Sequence, residues 1–489
     1  MGVLETITIL LPCSLCLYLL FFLINFLRII WWSPFRIQRV MNSQGIRGPS
    51  YRLIHGNTKE VLNMRTATMS KPMGLSHNIF PRLQPHLHSW LNIYGRNVLM
   101  WYGPQALLVI TESEYAKEVL NDKEKSYPKT DTNGFLKKLL GDGLATSKGE
   151  KWAKQRKLAN HAFYAESLKN MVPAMIESVE MMLERWKHCE GKEIEVFEEF
   201  KVLTSEVISR TAFGSSYLEG KGIFEMLTKM VTIFSRNFFK IRLPVLRDIR
   251  KREKVLTEQG NFGTDLLGLL MEAYNDPEET NRITLEDVVD ECKTFYIAGH
   301  ETTTNLLSWA TLLLAIDTEW QDKLRKEVFE LFGEQKPNAE GIARMKRMTM
   351  VINETLRLYP SVINFLRKVE RESILGRFVL PANITVTIPT LSLHLDPHIW
   401  GEDAHLFNPE RFSGGVAKAT NNNPAVYLPF GLGPRNCVGM NFAINEAKIA
   451  LSMILQRYAF TLSPTYIHSP TMRLTVCPEH GIQVMLHPL

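Results

Sequence analysis

An uncharged segment near the N-terminus constrains this chain more than any other feature. Positions 6–27 hold 22 residues without a charged side chain, and Ile29, Ile30, Trp31 and Trp32 lengthen the apolar stretch. As a helix, 22 residues span about 33 Å, close to the hydrocarbon thickness of a bilayer, and tryptophans suit its interface. Five arginines come next: Arg28, Arg36, Arg39, Arg47 and Arg52. Because positive charge stays in the cytosol, the pattern predicts one membrane-spanning helix with the rest of the chain cytosolic.

Two other interpretations of this segment are weaker. A cleaved signal peptide would need a basic start, a shorter apolar run and a small-residue cleavage site, which the sequence lacks. Cys13 and Cys16 have the spacing of a redox pair, but they fall within the bilayer, so packing explains them better. The sequence therefore predicts an anchor over 1–32, a basic Gly/Pro linker over 33–60 and one large domain over 61–489. The residues expected to end the anchor helix are Pro34, Gly45, Gly48 and Pro49.

Composition describes an ordinary folded chain with a mild positive charge. Apolar residues make up 45% of the 489 residues and charged residues 22%, a mixture typical of globular proteins. The net charge of +6 is too small over this length to indicate a nucleic-acid partner. Six cysteines, far apart outside the anchor, form no disulfide framework. This excludes a disulfide-rich secreted protein and indicates a reducing compartment.

Helical periodicity dominates the chain after the linker, so the sequence predicts a mainly α fold with a few strands. A hairpin is predicted over 98–110, where two alternating runs flank a Gly-Pro turn. The longest helix is predicted over 285–316, opened by Thr284 with Asp287 three residues later, a capping box. Another helix must end before Tyr359, because Pro360 disfavours helix at the preceding residue. Further elements are short strands over 379–389, a last helix over 441–460 and a strand pair over 470–484.

The most specific motif is a glycine-rich loop around a single cysteine. Residues 430–439 read Phe-Gly-Leu-Gly-Pro-Arg-Asn-Cys-Val-Gly, and a helix is expected to follow. Glycines let the backbone approach a flat cofactor, and the helix N-terminus would lower the pKa of the Cys437 thiol. One thiolate without a second Cys or a His nearby is a poor zinc site, but it suits an iron already held by four porphyrin nitrogens. For a lone cysteine, a buried inert thiol is the alternative.

The second motif lies in the middle of the predicted 285–316 helix. Residues 298–303 read Ala-Gly-His-Glu-Thr-Thr, and glycine and threonine both weaken a helix. We interpret this weakness as a local distortion with a purpose. Ala298 and Gly299 would leave room above a flat cofactor, while Glu301 and Thr302 would supply an acid and a hydroxyl for proton delivery. An ordinary helix with serviceable polar residues is the alternative for these six positions alone.

Two arginine motifs complete the set. Glu354 and Arg357 share a helix face and can pair, which alone is common and weak, but the nearby run Asn-Pro-Glu-Arg-Phe at 408–412 offers a second arginine for the same glutamate. Trp152 and Arg156 lie one turn apart, so an indole N–H and a guanidinium can reach carboxylates together, such as the propionates of a haem. A plain basic helix is the alternative for that pair.

Together these motifs resemble those of the cytochromes P-450. Residues 430–439 fit the haem-thiolate signature F-x-x-G-x-R-x-C-x-G at Phe430, Gly433, Arg435, Cys437 and Gly439. Residues 298–303 are similar to the family's oxygen-activation motif, and residues 354–357 with 408–412 are similar to its E-x-x-R and P-E-R-F elements. The resemblance covers essentially the whole chain and includes the plant microsomal branch, which oxidises terpenoids, hormones and other lipids.

The resemblance implies the cytochrome P-450 fold, with a large helical domain and a smaller β-rich part behind the N-terminal transmembrane helix. It implies haem b with Cys437 as the axial metal ligand. The further cofactor-binding residues that it implies are Trp152, Arg156, Arg367, Phe430 and Arg435. Glu301 and Thr302 would be catalytic. The protein would lie in the endoplasmic reticulum membrane and receive electrons from NADPH-cytochrome reductase, whose acidic surface would meet Lys151, Lys154 and Lys157.

Three functions are compatible with this set of residues. The first is a monooxygenase that uses O2 to hydroxylate an apolar small molecule. The second is an isomerase or dehydratase of the same fold that needs no O2, and the intact Glu301-Thr302 pair argues against it. The third is a membrane-anchored haem-binding protein, which would need no proton relay. By family position the pocket residues are apolar, which indicates a lipid-like substrate; they are Phe135, Leu136, Phe295, Ala298, Val362, Ile363 and Met472.

Overall fold

Helices dominate the part of the chain that the structure describes. The computed structural model describes residues 3–122, 126–132, 135–216, 222, 225–227, 229–232, 265–276, 278 and 282–489. Its helices are α1 Val3–Leu27, α2 Ser33–Ser43, α3 Thr58–Met69, α4 Phe80–Leu83, α5 Pro85–Tyr94, α6 Ser113–Leu120, α7 Phe135–Leu140, α8 Gly149–Ala162, α9 Ala165–Trp186, α10 Val196–Phe213, α11 Leu266–Tyr274, α12 Leu285–Ile316, α13 Thr318–Phe332, α14 Ala339–Arg344, α15 Lys346–Leu358, α16 Thr390–His394, α17 Pro397–Trp400, α18 Gly415–Ala419 and α19 Met440–Arg457. Its strands are β1 Asn97–Tyr102, β2 Gln105–Ile110, β3 Glu193–Glu195, β4 Asn364–Lys368, β5 Ser373–Leu375, β6 Phe378–Leu380, β7 Thr385–Pro389, β8 Tyr458–Leu462, β9 Pro470–Met472, β10 Val476–Pro478 and β11 Gln483–Pro488. The fold is mainly helical with small sheets, as predicted.

The N-terminal apolar segment forms α1, a π-helical turn at Arg28–Trp32 and α2 in direct succession. From Leu11 to Ser43 this helix is long and apolar enough to cross a membrane, with a mean hydropathy of 2.2 and 6% of its most apolar stretch buried. Pro34 does not end it, contrary to expectation, because Pro34 lies in the first turn of α2, where a missing N–H is tolerated. The helix ends just before Gly45, whose φ of +84° leaves the helical region.

A four-stranded sheet in the order β1-β2-β7-β4 forms the centre of the β-rich part. The predicted hairpin is confirmed as the antiparallel pair β1–β2, and β7 joins β2 in parallel. This part has a core of its own, to which α2 contributes Ile37 and Met41. Tyr51 Oη also donates to Ile30 O at 2.6 Å. The cytosolic end of the N-terminal helix is therefore fixed to the β-rich part.

A larger core lies among the helices, with α12 running through it. The bounds predicted for α12 are confirmed, and so is its capping box, in which Asp287 N donates to Thr284 Oγ1 at 3.1 Å and Thr284 N donates to Asp287 Oδ2 at 2.9 Å. The helix packs on α10, α15 and α19. Every side chain from Thr303 to Ala315 is consequently buried.

Two boundaries near the C-terminus differ from the prediction. The last helix, α19, ends at Arg457, and Tyr458–Leu462 continues as strand β8 in a sheet of order β3-β11-β8. Short apolar runs do not distinguish the end of a helix from the start of a strand, so the predicted end at 460 was too late. The strand pair predicted over 470–484 is the antiparallel pair β9–β10, and Val484 belongs to β11 instead.

Candidate active site

The cysteine loop is held by backbone contacts before α19 begins. Gly433–Arg435 form one turn of 3-10 helix, and Cys437 N donates to Phe430 O at 2.8 Å. Gly433 has a φ of +73°, and a Cβ there would lie 2.3 Å from Leu120 O, so glycine alone fits. Cys437 is exposed to open space, although protein surrounds it. The loop thus presents one thiol to an internal opening.

The thiol of Cys437 is not acidified in the way that its place before a helix predicts. Burial raises the pKa of Cys437, while the Gly439 backbone N–H and the charge of Arg156 lower it less. The expectation of a lowered pKa is therefore wrong for the thiol on its own, because desolvation outweighs the helix end. A bound metal ion would be needed to hold the thiolate, since coordination deprotonates a thiol outright.

The middle of α12 borders the same region. Phe163 connects the two elements, since its ring stacks on Phe295 of α12 at 5.5 Å and meets Phe442 of α19 edge-on at 5.6 Å. Ala298 is exposed although α12 is a core helix, and Thr302 Oγ1 donates to Ala298 O at 2.7 Å. Ala298 and Thr302 are four residues apart and so share one helix face. This face and the cysteine loop leave room for a flat group between neighbouring elements.

Gly299 does not contribute to that room, which corrects the sequence interpretation. A Cβ at this position would lie 2.7 Å from Ile208 Cδ1 on α10. Gly299 therefore permits the close approach of α10 and α12. Of the two small residues, Ala298 alone faces the opening.

Four cations gather on one side of the cysteine loop: Lys129, Arg156, Arg367 and Arg435. Arg367 is 5% exposed, and its described side-chain bond is to Leu366 O at 2.9 Å. Burial, together with the charges of Arg367 and Arg156, lowers the pKa of Arg435 to about 10. Burial and the charges of Arg367 and Arg435 lower that of Lys129 to about 7. Within the described residues, no ion pair joins any of the four to a carboxylate.

Such a cluster requires an anion, and the two propionates of a haem supply that charge. Arg435 lies over the Trp152 ring, 4.1 Å from its centroid, and donates to Ser147 O at 2.9 Å. Arg156 donates to Asn436 O at 2.5 Å and to Asn436 Oδ1 at 2.8 Å, so it also fixes the cysteine loop. The residues present therefore fit a haem with a cysteine ligand. Lys129 was missed from the sequence, because no local pattern marks it as buried.

Comparison with known proteins decides the family. A sequence model of the cytochrome P450 family matches residues 78–251 and 245–486. Cytochrome P450 CYP749A22 of Panax ginseng is 61% identical, in an alignment that covers 100% of this chain and 99% of the relative. The chain belongs to the cytochrome P450 family. It is also similar to 11-oxo-beta-amyrin 30-oxidase of Glycyrrhiza uralensis, 42% identical, and to secologanin synthase 1 of Catharanthus roseus, 40% identical, each covering 94% of both chains.

Membership establishes the general chemistry of this cytochrome P450. The family binds haem through a cysteine thiolate, and its members are monooxygenases that use O2, a redox partner and a small-molecule substrate. When bound, the haem supplies the iron at which O2 is activated. The predicted family, fold class, enzyme class and cofactor are thereby confirmed.

The Glu354 network lies in the core of this P450 and is fully satisfied, as its motifs predict. Glu354 and Arg357 are both 0% exposed and form a two-pronged pair, with Nε–Oε2 and Nη2–Oε1 distances of 2.7 Å. Arg357 Nη1 also donates to two backbone carbonyl oxygens. Arg411 Nε lies 3.6 Å from Glu354 Oε1, and Asn408 N donates to the same oxygen at 3.0 Å.

Glu301 does not share a face with Thr302. It points to the other side of α12, where its Oε2 has no hydrogen-bond partner within the described chain. Burial raises the pKa of Glu301 to about 7, against smaller opposing effects of Thr475, Arg473 and Lys201. Glu301 is therefore protonatable near neutral pH.

The remaining predicted residues are placed as follows. Lys151 is paired with Asp142 at 3.0 Å and with Asp287 at 2.6 Å, so it ties α8 to the start of α12 and is not part of a free basic face. Of the predicted pocket residues, Ala298 and Val362 are exposed, Phe295 and Ile363 are buried in the core, and Leu136 and Met472 are half-buried. The side chain of Phe135 lies outside the described residues.

Proposed function

We propose that this P450 is an endoplasmic-reticulum monooxygenase that oxidises an apolar terpenoid with electrons from NADPH-cytochrome reductase. The observation that carries the proposal is the placement of Cys437 and the Ala298–Thr302 face about one opening, beside four cations without an acidic partner. In this account Cys437 is the axial ligand. The propionates are held by Trp152, Arg156, Arg367, Arg435 and Lys129.

The residues of the chain divide the remaining work. Phe430 and its neighbours hold the loop that carries Cys437, through the bond from Cys437 N to Phe430 O. Arg156 holds Asn436 of the same loop. The Thr302 hydroxyl, at present donating to Ala298 O, can turn to position water in the opening, and Glu301 supplies protons. Ala298 leaves the space that substrate and O2 require.

The substrate class rests on two kinds of support. Side chains that border the opening on α12 and after α15, Ala298 and Val362, are apolar and exposed, so they suit an apolar ligand. Two of the similar proteins are named for the oxidation of 11-oxo-beta-amyrin and the synthesis of secologanin. Both products are plant terpenoids in the chemical sense, which is why we place a terpenoid before a fatty acid.

Reconstitution tests this function. The full chain, a plant NADPH-cytochrome reductase and lipid vesicles would be incubated with panels of triterpenoids, monoterpenoids and fatty acids. We expect a hydroxylated terpenoid that carries one oxygen from labelled O2, formed only when NADPH and reductase are both present. A product formed without NADPH and O2 would assign an isomerase or dehydratase instead, and fatty-acid products alone would overturn the substrate class.

The membrane attachment has its own test. Removing residues 1–32 deletes the apolar helix up to the end of the π-helical turn, and the predicted core begins after it. We expect the truncated chain to leave the carbonate-resistant membrane fraction while it still binds haem. Retention in that fraction would reveal a second inserted segment and contradict the single-pass topology.

A further inference from the structure

A small cavity lies behind α12, on the side away from the Ala298–Thr302 face. It lies between α10, α12 and the turn that joins β9 to β10. Its volume of about 40 Å³ leaves room for about three water molecules. The lining residues that matter here are Lys201, His300, Glu301, Asn305, Arg473 and Cys477. We call it the rear cavity.

The inner end of the rear cavity is built to hold water. Glu301 Oε2 and Asn305 Oδ1 are buried acceptors without a hydrogen-bond partner among the residues described. Asn305 is fixed by its amide, which donates to Glu301 O and to Thr475 Oγ1, both at 2.9 Å. Buried acceptors of this kind are nearly always satisfied by protein or water. Two of them on one polar cavity of sufficient size therefore indicate ordered water beside the Glu301 carboxyl.

The outer end reaches solvent. Arg473 is exposed, and Lys201 is 29% exposed and paired with Glu198 at 3.3 Å on the surface of α10. Water at this end can exchange with bulk, whereas the Glu301 end is enclosed by α12 and β10. The cavity thus connects the surface with the one carboxyl next to Thr302 in sequence.

We propose that Glu301 takes protons from water in the rear cavity and delivers them to the Ala298–Thr302 side of α12. The inference rests on the proposed monooxygenase function and deepens it, because it names the route by which the acid is recharged. In one cycle the carboxyl gives its proton to water on the front side, and the carboxylate takes a proton from rear-cavity water. Bulk solvent replaces that proton, and no electron moves.

The surrounding charges support this role. Arg473 and Lys201 favour the carboxylate, the Thr475 hydroxyl does the same, and burial opposes them, so the pKa of Glu301 settles at about 7. His300 has a pKa lowered to about 4 and Cys477 a pKa raised to about 12, both mainly through burial, so both are neutral at pH 7. Glu301 is therefore the group in the rear cavity that changes charge near neutrality.

Infrared difference spectroscopy tests the titration without any turnover. The carbonyl stretch of a protonated carboxyl, measured on the haem-loaded protein against E301Q, is expected to disappear with a midpoint near pH 7. In K201M and R473M a favourable positive charge is lost, so the midpoint is expected to move upward by about half a pH unit or more. K326M, an exposed lysine on α13, is the matched control and should leave the midpoint unchanged.

Coupling measurements test the delivery. The ratio of product formed to NADPH consumed should fall above the Glu301 midpoint in wild type, and this fall should move to higher pH in K201M and R473M. The proposal is overturned if E301Q removes no titrating band, if neither charge variant moves the midpoint, or if coupling does not follow the band. If no substrate is turned over at all, the proposed function fails, while the infrared result still decides whether the rear cavity recharges Glu301.

Discussion

The molecule buries its carboxyl groups in two contrasting ways. On the Cys437 side, Glu354 is 0% exposed and each of its oxygens is bound by Arg357, with Asn408 N and Arg411 close to Oε1. Around α12, Glu291 and Glu446 are each 1% exposed, and none of their carboxyl oxygens has a hydrogen-bond partner in the part of the chain described. One carboxyl is charged and locked, whereas the others are neutral and unlocked.

The pKa values follow from this difference in partners. Burial raises the pKa of Glu291 to about 8, which the nearby Leu144 N–H and the charge of Lys151 offset only in part. Burial also raises the pKa of Glu446 well above its ordinary value, against a smaller effect of the Thr303 hydroxyl. A satisfied buried pair stabilises a framework, while an unsatisfied carboxyl stores a proton. The contrast separates the supporting side of the site from the side that handles protons.

Breaking the locked side should have the largest effect. Glu354→Ala leaves Arg357 buried without its partner, and the loss of one member of such a pair costs about 3–5 kcal/mol. We expect little or no stable haem-loaded protein, measured as the haem-to-protein ratio after purification. Glu410→Ala, at an exposed glutamate in the same 408–412 run, should load normally. Normal haem content in Glu354→Ala would show that the pair does not support the site.

Removing an unlocked carboxyl should have the opposite sign. Glu291 ionises at about pH 8 when folded and near 4.5 when unfolded, so its contribution to stability is intact below pH 4.5 and is lost as pH rises to 8. The loss is about 1.4 kcal/mol per pH unit between these values. Glu291→Gln should therefore be more stable than wild type in urea unfolding, by a margin that grows from pH 5 to pH 8.

The matched variant for that measurement is Glu286→Gln, at an exposed glutamate on the same helix. It should leave stability unchanged at every pH. A Glu291→Gln margin that stays flat between pH 5 and pH 8 would mean that Glu291 is already charged in the folded protein.

The smallest effect is expected where function and not stability is at stake. Thr302→Ala removes a hydroxyl whose present bond is to Ala298 O within its own helix, so haem binding should be retained. We expect a several-fold fall in product per NADPH and a matching rise in hydrogen peroxide, within the 10²–10⁴ range of one positioned proton donor. Thr349→Ala removes a similar bond, to Met345 O on α15, and should change neither. Unchanged coupling in Thr302→Ala would place proton delivery elsewhere.

The sequence predicts best what is local. The bounds and capping box of α12 depend on Thr284, Asp287 and an uninterrupted apolar pattern, and the β1–β2 hairpin depends on alternation about one turn. The Glu354–Arg357 pair is likewise one helical turn. These signals are complete within a few residues.

What the sequence does not show depends on distant partners. Gly299 meets Ile208, Lys129 lies near Arg367 and Arg435, and no pattern around any of these positions encodes the contact. The orientation of Glu301 away from Thr302 is set by the rear cavity, whose walls come from three separate elements. Such features arise from tertiary packing, which also decided that burial would outweigh the helix end at Cys437.

One spectrum tests the central claim that Cys437 is the axial ligand of a haem held at this loop. The reduced carbon-monoxide complex of the wild-type protein should show the red-shifted Soret band that gives the family its name. In Cys437→Ser the hydroxyl cannot replace a thiolate, so the shifted band and turnover should both be lost, while Cys477→Ser, at a buried thiol of the rear cavity, should retain the band. A Cys437→Ser protein that kept the shifted band would contradict the account.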